Sequence, residues 1–434
     1  MNNAIHSCFA VCCVLIIVLP ATPVPADETF ASESATASGH QPTDWVQWRG
    51  AERQGHVMAA KDAPLQWSKD QSIRWRVAVA GRGHASATVL GDQVFLPTAV
   101  PKTQTQSVIC FDRKTGKTLW NQKIHEGGFK SKWEREPNTK ASMASSTIAT
   151  DGTRLYVNFL NDNAVHTTAL DLNGNLVWQQ RICDYQVHQG YGSSPTLYES
   201  LVIVSADNKQ GGSVVGLDRE TGTIVWRHDR PKFPNYSSPI VLSVAGKDQL
   251  IMTGCELVTS LNPATGKVLW ETEGATTECV TSPVTDGTLV FTSGGYPKNH
   301  IAAYAADGSA KLVWEQSLRA YVPSLLERNG MLYVVLDAGV AMCLKSSDGE
   351  VQWKKRLGGT FSSSPVLVGE RIYATSEEGV THVFKPDPTQ FTRLAENQLG
   401  TSVFATPTFS GSHVFLRTAY YEGDERQEYL YCIE

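Results

Sequence analysis

The side chains best suited to chemistry or ligand recognition sit in short stretches outside the repetitive parts of this chain. Residues 183 to 191 read CDYQVHQGY and supply His188 and Tyr191. Tyr236, Glu256, Tyr296 and Tyr321 lie in comparable stretches further on, and His84 and Trp133 in two earlier ones. Imidazole, phenol, indole and carboxylate groups gathered in one place would line a polar-aromatic pocket for a small polar or carbohydrate ligand, or for a protein partner. Taken singly, each is equally at home as a loop residue with its hydrogen bonds satisfied. Cys255 and Cys279 leave three alternatives open: a disulfide in an oxidising compartment, a metal pair, or two reduced thiols.

No catalytic set stands out beside them. Gly81-Arg-Gly83 lacks the third glycine of a dinucleotide fingerprint and precedes a strand pattern, not a helix. There is no His-Glu-x-x-His, no Gly-x-Ser-x-Gly and no Cys-x-x-Cys beyond the N-terminal apolar run. We therefore assign no catalytic residue and no metal ligand.

The elements that must position these loops are written in a repeat. Asp112-Arg-Lys-Thr-Gly116-Lys-Thr-Leu-Trp120 returns as Asp171 to Trp178, Asp218 to Trp226 and Asn262 to Trp270, with looser copies ending at Trp314 and Trp353. The Asx-Gly pair supplies a tight turn, and the flanking alternation of Val, Leu, Thr and aromatics supplies strands. A second strand pair opens upstream on Ser193-Ser-Pro195, Ser237-Ser-Pro239, Thr281-Ser-Pro283 and Ser363-Ser-Pro365, with four poorer copies. Eight openings, four antiparallel strands each and no helical period predict an all-β, eight-bladed β-propeller. The last copy stops after three strands, so Ile73–Val79, which carries Trp75, is expected to complete it as the outer strand and close the ring. The seventh copy has no tryptophan, and Phe391 to Leu394 stands in its place. Cys110, Ala169, Gly216, Ser260, Ala303, Cys343, Val383 and Cys432 form a column of modest volume, which a tightly packed position demands.

These phrases resemble the pyrroloquinoline-quinone (PQQ) repeat family of eight-bladed propellers, over residues 73–434. The lead-in Asp44-Trp-Val-Gln-Trp-Arg-Gly50 looks like that of exported PQQ-like propellers of planctomycete-type bacteria. The resemblance implies that Trp75, Trp120, Trp178, Trp226, Trp270, Trp314 and Trp353 each dock on the next blade. It also raises a quinoprotein reading, PQQ held with calcium beneath a vicinal disulfide. The only adjacent cysteines, Cys12 and Cys13, fall in the N-terminal apolar run, and no oxygen-ligand cluster is evident. No cofactor is therefore expected, and PQQ with calcium stands as the alternative. In role, the chain resembles the propeller subunit of outer-membrane protein assembly machinery, although it lacks that subunit's lipidation cysteine.

Phe9 to Leu19 is long enough for a signal-peptide core and short for a membrane span, and Val24-Pro-Ala26 offers a cleavage site. The organisation expected is a signal peptide over 1–26, a disordered or extended leader over 27–62, and the propeller over 63–434. Such a chain is periplasmic or secreted, with no transmembrane segment once the signal is removed. Its net charge of −5 gives no footprint for nucleic acid. Propeller loops between blades, and between the second and third strands of a blade, share one face, so the candidates above should gather there. The function expected is an exported binding or scaffold module with an envelope-protein or small polar ligand. The alternative is a quinoprotein oxidoreductase or another enzyme built on loops.

Overall fold

A computed structural model describes Met1 and residues 41–58, 63–130, 138, 140–423 and 425–434, with the side chain of Glu422 excepted. The expected signal peptide and the segment up to residue 40 lie outside the described residues, as does Trp133. Eight antiparallel sheets follow in chain order: blades 1 to 7 over 88–126, 149–184, 196–229, 240–273, 284–316, 326–356 and 366–398. Blade 8 takes three strands from 408–433, and Ile73–Val79 pairs with Glu425–Ile433 as its outer strand. The ring therefore closes with the N-terminal strand, as the repeat predicts.

Tryptophan and glycine are complementary halves of one contact between blades. A Cβ on Gly116 would lie 2.7 Å from the Trp75 ring, one on Gly174 2.8 Å from Trp120, and one on Gly222 2.6 Å from Trp178. Gly266 and Gly349 meet Trp226 and Trp314 in the same way. Each glycine holds a positive φ, which the tight turn requires and which only glycine adopts without strain. The indole N–H completes several seats by donating across the interface: Trp75 to Arg113 O at 2.9 Å, Trp120 to Leu172 O at 3.0 Å and Trp178 to Arg219 O at 2.9 Å. Inside its own blade each tryptophan faces the small column, with Cys110 opposite Trp120, Gly216 opposite Trp226 and Cys432 opposite Trp75. The column is small because a broad indole occupies the cross-strand site.

Two seats depart from the pattern. Trp270 does not rest on the corresponding Gly308, around which nothing approaches, and its N–H turns back to Gln249 in its own blade at 2.7 Å. In blade 7 the register places Ala395, not Phe391, opposite the column residue Val383. The missing ring arrives from before the propeller: Trp67 stacks on Tyr373, centroids 6.2 Å apart and planes 10° apart. Asn397 pins it by accepting from Trp67 N at 2.9 Å and donating to Leu65 O at 3.1 Å. Phe391 instead packs edge-on against Trp353.

Near the axis a second set of contacts ties the blades. The backbone N–H of Ser86 donates to the hydroxyl of Thr147, that of Thr147 to Ser194 and that of Ser194 to Ser238. The same step recurs from Ser282 to Ser324, Ser324 to Ser364 and Ser364 to Thr406. Ser86 Oγ returns to Thr406 O at 2.9 Å, and Ser237 Oγ bridges to Thr281 O at 2.9 Å. The hydroxyls of the opening phrases thus form a relay around the ring, and satisfy backbone groups that burial would otherwise leave bare.

Residues 44–57 are docked in the ring and do not run free of it. Trp45 exchanges backbone bonds with Val89 of blade 1, Thr150 N of blade 2 donates to Val46 O, and Thr196 Oγ1 of blade 3 donates to Gln47 Oε1. Trp48 packs on the cluster shared by blades 4 and 5 and donates to Ser282 Oγ at 2.9 Å. Arg49 donates to Leu325 O of blade 6, His56–Val57 add a parallel strand to blade 7, and Ser410 Oγ of blade 8 donates to Thr43 O. Trp45 and Arg49 are each 1% exposed. Their burial explains why the segment docks: the axial ends of the inner strands leave a hole that only inserted side chains can fill.

Gly222 and Gly246 separate backbone strain from indole contact, since their φ values are +74° and +75° but a Cβ on Gly246 meets nothing within 4 Å. Gly246→Ala should cost about 1–2 kcal/mol for the left-handed conformation alone. Gly222→Ala should cost about 1–3 kcal/mol more, by overpacking the Trp178 seat. Urea unfolding of both variants checks this, and equal losses would refute the seat.

Candidate functional site

The relay positions a ring of side chains as well as closing the blades. Two residues before each relay hydroxyl stand His84, Ser145, Gly192, Tyr236, Val280, Val322, Ser362 and Phe404, one per blade. In an extended segment residues two apart share a side, so a column that lines the axis must recur at this offset. All eight face one cavity of about 320 Å³ on the propeller axis. Trp48 from the docked lead-in also lines this funnel. Tyr191, Tyr321, Asn138, Lys140 and Gln189 add to its wall and rim.

The polar tips of the aromatic residues are tied back into the protein. Tyr191 donates to Ser205 O at 2.9 Å, Tyr321 OH donates to Glu278 Oε2 at 3.2 Å, and Trp48 is committed to Ser282. His188 Nδ1 lies 3.1 Å from both Tyr236 OH and Glu278 Oε1. Glu278 is 3% exposed, so this buried carboxylate is held by a phenol and an imidazole just behind the funnel surface. Burial beside Glu278 pushes the Tyr321 phenol well above its ordinary range, so it stays a neutral donor. His84 stacks on Phe404, centroids 4.5 Å apart. Burial, with Arg82, Arg417 and Arg426 nearby, holds its pKa well below the usual imidazole value and keeps it uncharged. At the rim Glu377 accepts from Lys140 at 2.9 Å and from Ser362 Oγ at 2.6 Å.

His84, Tyr191, Tyr236 and Tyr321 therefore line the funnel, and His188 stands directly behind it. Glu256 and Tyr296 do not join them. Glu256 is exposed and accepts from Thr277 Oγ1 at 2.9 Å, and Tyr296 is 54% exposed. Cys255 and Cys279 are free thiols with separate partners. Cys255 lies 3.6 Å from Asp207 Oδ2, and Cys279 lies 3.3 Å from Thr276 Oγ1. The surrounding knot is structural: Asp207 pairs with Arg230 at 3.3 Å, both side chains at most 1% exposed, and Asn235 links Asp207 to the Cys279 backbone. Sequence reading missed Trp48, Phe404 and Glu278. The offset from the relay hydroxyl would have found Phe404, whereas Glu278 lies outside any repeated column.

A ring of eight Trp-bearing or Trp-filled blades with this opening phrase defines a PQQ-like β-propeller. The chain belongs to the family described as outer membrane protein assembly factor BamB, whose model matches residues 44–182, 104–355 and 297–390. A curated relative, the outer membrane protein assembly factor BamB of Legionella pneumophila (strain Paris), is 24% identical over 197 residues, covering 42% of this chain and 48% of that one. The chain thus spans about half the length of the curated relative it matches. Among solved structures, BamB from Moraxella catarrhalis superposes with a TM-score of 0.57 at 13% identity, covering 82% of this chain and 96% of that one. A europium-containing methanol dehydrogenase superposes with a TM-score of 0.63 at 12% identity, covering 88% and 90%. At these identities the superpositions speak to the fold.

Two outcomes follow from the buried groups. His84 binds fewer protons folded than unfolded, so stability must fall as pH drops below the ordinary imidazole value near 6.5. His84→Gln should flatten that part of a pH series of thermal unfolding midpoints, and an unchanged slope would refute the assignment. Burial raises the Cys255 thiol well above, and the Cys279 thiol above, the ordinary value. Both should resist iodoacetamide at pH 8 in the native protein and react fully in urea, as read by mass spectrometry.

Proposed function

We propose that this chain is an exported, non-catalytic binding module of the cell envelope that holds a protein of the outer-membrane assembly apparatus against its funnel face. The observation that carries this reading is the axial funnel to which every blade contributes the residue two positions before its relay hydroxyl. Such a site presents a shaped surface on a rigid scaffold, and its acids are already committed. Glu278 is engaged by Tyr321 and His188, and Glu377 by Lys140 and Ser362. The family match supports the envelope setting, and the apolar run Phe9 to Leu19 supports export. No helix among the described residues is long and apolar enough to cross a membrane.

The quinoprotein alternative draws on the fold shared with the methanol dehydrogenase. The donor set here does not fit it. Calcium beside a quinone needs several oxygen ligands converging on one point. No group of three or more His, Cys, Asp or Glu among the described residues is arranged to hold a metal. We derive no step through that cofactor.

A photo-crosslinking residue at Tyr236 or Val322, in the full chain expressed in the envelope, should capture a discrete assembly protein. The same residue at exposed Val225, on an outer strand, should not. Alcohol-dependent dye reduction after adding PQQ and calcium would overturn the proposal.

A further inference from the structure

The chemistry of the funnel specifies its occupant more narrowly than a face for a protein does. This step rests on the reading of the funnel as a binding face. The aromatic residues around it turn their rings inward, because Tyr191, Tyr321 and Trp48 have their polar tips bonded away from the cavity. The His84–Phe404 stack adds a further flat, uncharged surface. Ring faces of this kind pack against flat C–H surfaces.

A purely apolar guest is nonetheless a poor match. Ser194, Ser238, Ser364 and Thr406 line the cavity, and each accepts a backbone N–H from the preceding blade. A hydroxyl whose oxygen is engaged as an acceptor still carries one proton to donate. The funnel therefore offers donors from its relay, and amide acceptors at the rim from Asn138 and Gln189. Among the described residues, Lys140 is the one lysine or arginine lining the cavity, and it is already paired with Glu377, so the described lining favours an uncharged guest over an anion. Trp48 contributes to the lining, and the volume of about 320 Å³ lies at the low end of the roughly 300–1,000 Å³ of small-molecule sites.

We propose that the funnel binds a neutral pyranose, such as a terminal sugar of an envelope glycan. The sugar's C–H faces lie between the aromatic rings, and its hydroxyl edge meets the relay hydroxyls and rim amides. Recognition is by a flat ring that is apolar on its faces and both donor and acceptor around its edge. No bond is made or broken.

The test titrates methyl β-glucopyranoside, N-acetylglucosamine and cellobiose into the full chain, followed by tryptophan fluorescence and ligand-observed NMR. A tryptophan tripeptide amide and inorganic phosphate serve as comparison probes. At least one sugar should bind saturably. Phe404→Ala should weaken it by about tenfold. Ala141→Trp, which fills the cavity from its wall, should abolish it while leaving circular dichroism and the unfolding midpoint unchanged. The inference is overturned if no sugar gives a saturable signal with the folded chain, if binding survives both variants, or if the peptide binds a site for which sugars do not compete. Its failure is separable from that of the proposed function, because partner capture by crosslinking is measured without sugar. A partner captured without sugar binding removes only the glycan, and sugar bound without a partner removes only the assembly role.

Discussion

The contact on which the whole ring depends is an indole face pressed against a glycine that has no side chain. Blade spacing follows from it: Trp120 can approach the turn of blade 2 only because Gly174 leaves the space a Cβ would take. The same indole presses inward on its own blade, which keeps Cys110 and its equivalents small. A single residue thus sets two distances, one within a blade and one between blades. Since packed interiors tolerate little change in volume, an error at one seat would be carried around the circle.

A propeller also needs closure at its axis, where backbone groups of eight inner strands converge. The hydroxyl relay supplies it, and the funnel follows from the relay as a matter of geometry. Once Ser238 and its counterparts must face the neighbouring blade, the residues two positions earlier must face the axis. Those positions carry none of the relay's bonds between blades. They vary from Gly192 to Phe404 while the relay itself stays Ser or Thr. Recognition chemistry therefore has a place to reside that the scaffold does not constrain.

The repeat made the fold legible because each of its residues acts locally or on the adjacent blade. Eight blades and the closing strand Ile73–Val79 could be read from spacing, and the tryptophan seats followed from the family resemblance. What escaped depends on particular tertiary contacts. Trp67 serves blade 7 from before the first blade, and Trp270 turns back to Gln249 within its own blade although Gln93, at the equivalent position of blade 1, leaves Trp120 in its seat. The lead-in was legible only as a resemblance, since its partners, among them Val89, Ser282 and Leu325, are set by the closed ring and not by neighbouring sequence. Of the site, the tyrosines and His84 were visible as loop residues, but Glu278, behind the surface, shows only in three dimensions.

The docked lead-in has a consequence in time. Residues 43–57 leave the ribosome before any blade, yet their partners are the innermost strands of all eight, the last of which is Thr408–Ser410. The segment can settle only after nearly the whole chain has been made, and the strand Ile73–Val79 must likewise wait for Glu425–Ile433. Both ends of the polypeptide are thus held open until late in folding, a topology that favours slow acquisition of the native state. If the chain is exported unfolded, as proposed, such lateness is an advantage: the ring cannot lock before its final strand has arrived.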